Sequence, residues 1–201
     1  MTTLLIDSPF ANLANIERAL RTVGADVVVS RDPDQISAAS SIVLPGVGSF
    51  AASAQWLART SIADSVRVAV GVGAWLLGVC VGHQLLFDGS DEMEETAGLG
   101  LIGGRVTRFS TTLPVPQIGW NSVSVTPAGL FQGLPSSIPF YFVNSYRATG
   151  VAPELETGTA VYGGSFTAAV QRDRIAGVQF HPEKSSVAGL RVLQNFVEMS
   201  S

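Results

Sequence analysis

The fold of this chain is decided by the stretch Leu77-Gly78-Val79-Cys80-Val81-Gly82-His83-Gln84-Leu85. An apolar strand leads into Gly-x-Cys-x-Gly and then into a helical segment, which is the cysteine counterpart of the Gly-x-Ser-x-Gly elbow. The sharp strand-to-helix turn requires residues without a Cβ two positions before and after the nucleophile. It also places the sulfur at a helix N-terminus, where the dipole favours a thiolate. The motif therefore predicts a nucleophilic Cys80 rather than an inert core cysteine, with the Val81 N–H as an oxyanion donor.

The chain before this elbow alternates strands and helices. We predict strands over Thr3–Ile6, Asp26–Ser30, Ser41–Leu44 and Ala74–Val79, and helices over Asn12–Val23, Ser49–Leu57, Ile62–Val70 and the segment that Gly82–Phe87 opens. Such alternation favours a mostly parallel sheet with helices on both faces.

The second half of the chain consists of short β segments separated by Gly, Pro and Asn turns. We predict strands over Leu101–Phe109, Trp120–Val125, Phe140–Tyr146, Thr159–Gly163, Ser165–Gln171 and Ile175–Phe180, followed by a last helix over Val187–Val197. We therefore expect one α/β domain over residues 1–201, whose parallel sheet carries an antiparallel extension.

The composition excludes several classes of protein. The 201 residues are 46% apolar and 14% charged, against about 25% charged in an average domain. No run of about 20 apolar residues could form a membrane span, and the first ten residues lack the basic region of a signal peptide. A net charge of −4 gives no footprint for nucleic acid. With one cysteine, neither an internal disulfide nor a Cys-rich zinc site is possible, and we expect a cytoplasmic protein.

A thiolate nucleophile needs a base, and the chain contains two histidines. His181 ends a predicted strand in His181-Pro182-Glu183. Alternate residues of an extended segment share a face, and Pro182 keeps the preceding residue out of the helical region. The Glu183 carboxylate can therefore orient the imidazole, which predicts a Cys–His–Glu triad. We expect the other histidine, His83, to be an exposed or partly packed helix residue.

A second oxyanion donor is predicted in Val43-Leu44-Pro45-Gly46-Val47-Gly48-Ser49. A buried strand there precedes a loop whose two glycines can turn a peptide N–H toward the nucleophile. The full Gly-x-Gly-x-x-Gly nucleotide fingerprint is absent, because Ala51 occupies the third position. We therefore favour an acyl-transfer loop, with Val47 and Gly48 as donors beside Val81.

Together these features resemble the class I glutamine amidotransferases, or triad glutaminases, along nearly the whole chain. Within that class the sequence is most similar to the glutaminase subunits of imidazole glycerol phosphate synthase. The resemblance is carried by Leu44 to Phe50, Cys80 to Leu86, Gly98-Leu99-Gly100, Pro116 to Asn121, Tyr141 to Tyr146 and Gly177 to Ser185.

The resemblance implies that Cys80, His181 and Glu183 hydrolyse glutamine to glutamate and ammonia through a thioester. It assigns substrate binding to Gly46, Gln84, Ser145 and Tyr146, and it implies no cofactor and no metal. Ammonia would pass to a partner cyclase of (β/α)₈-barrel fold, which would make imidazole glycerol phosphate and aminoimidazole carboxamide ribonucleotide in histidine biosynthesis. The residues expected at the interface of this heterodimer are Asn12, Gln117, Trp120, Asn121, Asn144 and Lys184.

The sequence departs from the family pattern at a few positions. Ser8–Ala11 replaces the usual Tyr-Gly-x-Gly, and the family usually has Met at His83 and His at both Gln117 and Asn144. Two alternatives stay open: a glutaminase of another synthase, in surface-sugar amidation or pyridoxal phosphate synthesis, or a catalytically silent protein of the same fold.

Overall fold

The computed structural model of the protein describes residues 2–93 and 95–201. The helices are α1 (Leu13–Thr22), α2 (Pro33–Ser37), α3 (Phe50–Arg59), α4 (Ile62–Gly71), α5 (Val81–Gln84) and α6 (Ser186–Met199). The strands are β1 (Thr2–Ile6), β2 (Asp26–Ser30), β3 (Ser41–Gly46), β4 (Trp75–Cys80), β5 (Gly89–Ser90), β6 (Thr96–Ala97), β7 (Arg105–Arg108), β8 (Gln117–Val125), β9 (Ser137–Asn144), β10 (Tyr146–Thr149), β11 (Glu156–Val161), β12 (Ser165–Arg172) and β13 (Ile175–Val178).

These strands form one mixed sheet in the order β2-β1-β3-β4-β13-β12-β10-β7-β5-β6. The pairs from β2 through β13 are parallel. Strands β12, β10 and β7 continue antiparallel, and β11, β8 and β9 branch from β12 as an antiparallel extension. The predicted α/β architecture is confirmed, with the parallel half drawn from the first 80 residues plus β13.

Several element boundaries differ from the prediction. Strand β3 continues through Pro45 to Gly46, because its pairing with β4 extends to Gly46 opposite Cys80, although its pairing with β1 stops at Val43. The predicted strand Phe140–Tyr146 is divided at Ser145 into β9 and β10. Of the segment Leu101–Phe109, only β7 is extended.

Helix α2 was not predicted. Its N-cap Asp32 accepts a hydrogen bond from the Asp34 N–H, and a proline occupies its first turn. These are ordinary helix-start signals, but a five-residue helix is too short to show an apolar periodicity.

Buried aromatic rings hold the extension against the end of β13. Phe140 of β9 stacks on Phe180 with ring centroids 3.9 Å apart, and Phe142 meets the same ring edge-on at 5.8 Å. All three side chains are completely buried. Because Phe180 directly precedes His181, this packing fixes where the strand end presents the imidazole.

Candidate active site

The backbone at Cys80 has the geometry of a nucleophile elbow. Cys80 ends β4, has φ 56° and ψ −108°, and is followed directly by α5. A Cβ on Gly78 would lie 2.5 Å from the carbonyl oxygen of Gly82, and a Cβ on Gly82 would overlap that of Leu44. A positive φ is unfavourable for a non-glycine residue and is one form of backbone strain that clusters at functional sites. The crowding explains why glycine is required on both sides of the cysteine.

Parallel pairing brings the predicted base to the predicted nucleophile. Strands β4 and β13 are parallel neighbours, with Val79 opposite Val178. The carboxyl ends of the two strands therefore lie at the same edge of the sheet. His181 has φ −97° and ψ 97°, the extended conformation expected before Pro182. The distance from its Nδ1 to Glu183 Oε1 is 2.9 Å, and Cys80 and His181 both line the cavity at this edge, where Cys80 contributes to the raised pKa of the imidazole. The three residues thus form a contiguous Cys–His–Glu arrangement.

The environment of His181 favours a charged imidazole. Burial alone would lower its pKa, but the hydrogen bonds and charges of Cys80 and Glu183 outweigh burial and raise the pKa to about 10. Both side chains of the His181–Glu183 pair are about 95% buried, at 4% and 5% exposure. A buried imidazolium held between a sulfur and a carboxylate is the pairing used by activated cysteine nucleophiles.

Gln179 belongs to the site although the sequence did not single it out. Its side chain is completely buried, its Nε2 lies 3.8 Å from Cys80 Sγ, and its Oε1 accepts a 2.9 Å hydrogen bond from Gln84 Nε2. Gln84 also donates to the carbonyl of Tyr146 at 3.3 Å. The expected extended segment stops at His181, because Pro182–Lys184 forms a 3₁₀ helix that brings Glu183 to the imidazole. The period of two applied before His181 places Gln179 on its face, so the pattern contained this signal.

The predicted oxyanion loop lies beside the nucleophile, with one donor already engaged. Val47 and Gly48 line the cavity at Cys80, and Gly48 has φ +85°. The Val47 N–H, however, donates to the carbonyl of Phe10 at 2.6 Å. In this conformation it cannot also bind an oxyanion. Gly46 packs against the elbow so closely that a Cβ there would lie 2.9 Å from that of Val81.

A cavity of about 480 Å³ opens above the sulfur. Its lining includes Asn12, Val47, Gly48, Cys80, Val81, Gln84, Glu92, Pro116, Val143, Asn144, Ser145, Tyr146, His181 and Lys184. The predicted substrate residues Gln84, Ser145 and Tyr146 are among them. Glu92, which was not predicted, brings a carboxylate to the wall, where its Oε2 accepts the Phe50 N–H at 2.6 Å. It lies in a loop with no pattern that could have identified it.

The residues predicted to contact a partner fall into two groups. Trp120 is 56% exposed beside exposed Ile118 and Val143, and Asn12 and Lys184 are exposed at the cavity rim. Asn121 is half-buried and donates a hydrogen bond to the Val161 carbonyl.

Gln117 and Asn144 differ from that prediction, because both side chains are buried. Their exposures are 3% and 5%, since both point to the inner face of the β8–β9 ladder while their strand neighbours point outward. Their side chains therefore do not form an outer contact surface.

The expectation for His83 was wrong. Its ring is completely buried, it meets Phe87 edge-on at 5.1 Å, and neither ring nitrogen has a hydrogen-bond partner within the described chain. Burial lowers its pKa to about 3. The helix face of α5 packs under β13, where a Cβ on Gly177 would lie 2.5 Å from the His83 ring. His83 is thus a neutral core residue behind the elbow.

Neither a metal site nor a membrane span is evident in the part of the chain that the structure describes. No group of three or more His, Cys, Asp or Glu side chains over residues 2–93 and 95–201 could hold a metal ion. Within the same ranges, no helix has the length and apolar character to cross a bilayer.

Comparison with known proteins agrees with this architecture. A family model described as glutamine amidotransferase class-I matches residues 4–199. Among solved structures, a glutamine amidotransferase crystal structure superimposes with a TM-score of 0.78 at 20% identity, covering 98% of each chain. The structure of PurLQS from Thermotoga maritima gives 0.77 at 18% identity, covering 100% of this chain and 99% of that one. At these identities the likeness establishes the fold.

Curated relatives are considerably more similar in sequence. The imidazole glycerol phosphate synthase subunit HisH of Moorella thermoacetica is 43% identical over 196 residues, which cover 97% of this chain and 93% of the relative. The subunit of the same name from Symbiobacterium thermophilum is 43% identical over 197 residues, with 98% and 93% covered. The chain therefore belongs to the class-I glutamine amidotransferases, and within them to the HisH family.

Proposed function

We propose that residues 1–201 act as one glutamine amidotransferase domain, the glutaminase subunit of an imidazole glycerol phosphate synthase. The single observation that carries the chemistry is the buried Cys80–His181–Glu183 arrangement at the floor of a cavity. The assignment to this synthase rests on relatives named as its subunit HisH at 43% identity.

In the proposed reaction, the Cys80 thiolate attacks the Cδ carbon of the glutamine side chain. The carboxamide oxygen becomes an oxyanion, and protonated His181 gives its proton to the departing nitrogen. The C–N bond breaks, ammonia leaves and a γ-glutamyl thioester remains. Water then loses a proton to His181 and attacks the thioester, which releases glutamate and restores the sulfur. Glu183 orients the imidazole and balances its charge throughout.

The cavity suits an amino-acid substrate. Its volume of about 480 Å³ is in the range of small-molecule sites. Gln84, Ser145, Tyr146 and Gly46 are assigned to glutamine binding, and the Glu92 carboxylate offers a partner for the α-ammonium group. The neutral amide of Gln179 lies beside the sulfur and helps to position it. Because the amide is not basic, it does not compete with the sulfur for the proton of His181.

The oxyanion requires donors that lie where the charge develops. We assign these to Val81 and to the loop Gly46–Gly48. The Val47 N–H is bound by the Phe10 carbonyl. The isolated subunit should therefore hydrolyse glutamine slowly, until the peptide that carries this N–H turns toward the cavity. Slow hydrolysis in the isolated subunit is useful, because ammonia that is released without a partner to use it is lost to the solvent.

The partner in this proposal is a cyclase subunit of (β/α)₈-barrel fold, which receives the ammonia. Exposed Trp120, Ile118 and Val143, with Asn12 and Lys184 at the rim, form the surface that would meet it. We place the protein in the cytoplasm, because a nucleophilic thiol is kept reduced there.

The deciding experiment measures glutamate release by the purified chain, with and without the cyclase encoded by the same organism and its nucleotide substrate. We expect slow hydrolysis alone and an increase of about 10²- to 10³-fold with the cyclase, as restoring one oxyanion donor would give. Hydrolysis that the cyclase leaves unchanged would favour a glutaminase of another synthase. No turnover in either condition would favour a catalytically silent protein.

A further inference from the structure

Two buried carbonyl oxygens lie unpaired on strands β8 and β9, beside the active-site cavity. Gln117 of β8 and Asn144 of β9 are directly opposite each other in the antiparallel ladder, and both are at least 95% buried. Gln117 Oε1 and Asn144 Oδ1 accept no hydrogen bond from the residues that the structure describes. A buried acceptor without a donor is unfavourable, so the pair favours a small ligand that donates hydrogen bonds.

The strand register places the two side chains next to each other. Residues opposite each other on antiparallel strands have Cβ atoms about 4.5–5.5 Å apart. The amide nitrogen of Asn144 donates to the Tyr146 carbonyl at 3.0 Å, which fixes the orientation of its side chain. Asn144 also lines the cavity above Cys80, and the carbonyl of its neighbour Val143 lies 4.0 Å from Sγ. Asn144 therefore connects the acceptor pair to the cavity in which the nucleophile lies.

We propose that Gln117 and Asn144 form an acceptor site that holds ammonia as it leaves the reacting carboxamide, on its way out of this subunit. The inference rests on the proposed function, in which ammonia is the transferred product. Ammonia carries three N–H donors, and two amide oxygens can accept two of them. Because amides carry no charge, they hold ammonia without the strong preference for ammonium that a carboxylate would impose, and ammonia is the nucleophilic form.

The test compares two products in the complex with the cyclase. Glutamate reports hydrolysis, and cyclase product formed from glutamine reports ammonia that was delivered. The double variant Gln117→Met and Asn144→Leu removes both acceptors at similar volume. Ser122→Ala, at an exposed position of the same strand, is the matched control. The variant with histidine at both positions keeps ring-nitrogen acceptors, as in the family pattern.

We expect the double variant to deliver about three- to tenfold less product per glutamate, the effect of one or two lost hydrogen bonds. Released ammonia should increase correspondingly, while the histidine variant and Ser122→Ala keep the wild-type ratio. An unchanged ratio in the double variant would overturn the site and leave the proposed glutaminase intact.

Gln117 does not line the cavity, so Gln117→Met alone decides the matter if the double variant loses hydrolysis or fails to fold. A lower ratio in this single variant supports the site, and an unchanged ratio overturns it. Loss of glutamate release in Gln117→Met would also overturn it, because Gln117 would then act in hydrolysis rather than in transfer. A wild-type complex that releases glutamate but makes no cyclase product would contradict the proposed function itself.

Discussion

The elbow and the β8–β9 ladder meet at one cavity, to which the elbow contributes Cys80 and Val81 and the ladder contributes Val143 and Asn144, and they are specified in different ways. At the elbow, backbone crowding leaves no alternative to Gly78 and Gly82, and the triad follows the family pattern. Along the ladder, Gln117 and Asn144 depart from that pattern, and the outward side chains of Ile118 and Trp120 remain exposed. Steric crowding thus fixes the elbow, whereas the ladder carries buried amides and exposed apolar side chains that crowding does not require.

Substitution of the nucleophile should produce the largest effect. We expect Cys80→Ser or Cys80→Ala to lower glutamine hydrolysis by about a thousandfold or more, since loss of a nucleophile removes the covalent route. In the complex, ammonia added to the solution should still drive the cyclase, because the partner's chemistry does not use the sulfur.

The same assay with the Ser122→Ala control should show both activities intact. If Cys80→Ala lost the ammonia-driven reaction together with the glutamine-driven one, Cys80 would be a structural residue. The contrast between the elbow and the ladder would then have to be abandoned.

The Glu183→Gln variant tests the interaction between the Glu183 carboxylate and the His181 imidazole. Replacing the carboxylate removes the charge that helps to raise the pKa of His181, so we expect a fall in kcat of about 10²- to 10⁴-fold. Circular dichroism and thermal unfolding should confirm that the isosteric variant folds.

The sign of the pH dependence follows from the raised pKa of His181. His181 binds its proton more tightly in the folded protein than in the unfolded chain. Its protonation therefore stabilises the native state fully at any pH below the pKa of an unfolded histidine, about 6.5. That contribution is lost as the pH rises toward about 10. The free energy of unfolding should thus fall between these values in the wild type and fall less in Glu183→Gln. Parallel curves would contradict the assigned His181–Glu183 interaction.

The glycines of the chain offer a purely steric test. Gly82→Ala would force a Cβ onto the Leu44 carbonyl, whereas Gly71→Ala, at the end of α4, meets no atom within 4 Å. We expect urea unfolding to show Gly82→Ala destabilised by about 1–3 kcal/mol, as overpacking costs, with Gly71→Ala neutral or slightly stabilising. Equal effects would show that the elbow can relax.

Sequence reasoning succeeded where a local constraint is strong. The elbow glycines, the extended His181 before Pro182 and the alternation of the first 80 residues each follow from sterics or periodicity within a few residues. The architecture of the sheet and the proximity of Cys80 to His181 then follow from parallel pairing.

It failed where burial depends on distant segments. No local pattern shows that Asn144 and Gln117 turn inward, that the Phe10 carbonyl binds the Val47 N–H, or that the loop carrying Glu92 returns to the cavity. Helix α5 is four residues long, so its periodicity could not distinguish an exposed face from one packed under β13. These features depend on tertiary packing, which a single sequence does not encode locally.

The smallest expected effect on activity concerns His83, which lies behind the elbow and does not line the cavity. Its two ring nitrogens are buried without partners in the described structure, and burial has lowered its pKa to about 3, so it is a neutral and costly polar group. His83→Met replaces it with an apolar side chain that adapts to irregular space and that the family pattern has at this position. We expect a gain in stability of about 1–3 kcal/mol without a change in kcat, measured by urea unfolding and glutamate release. The rate of the His83→Met variant is the more informative measurement. An unchanged kcat would show that catalysis depends only on the residues that line the cavity. A changed kcat would show that it also depends on the packing of α5 in the core.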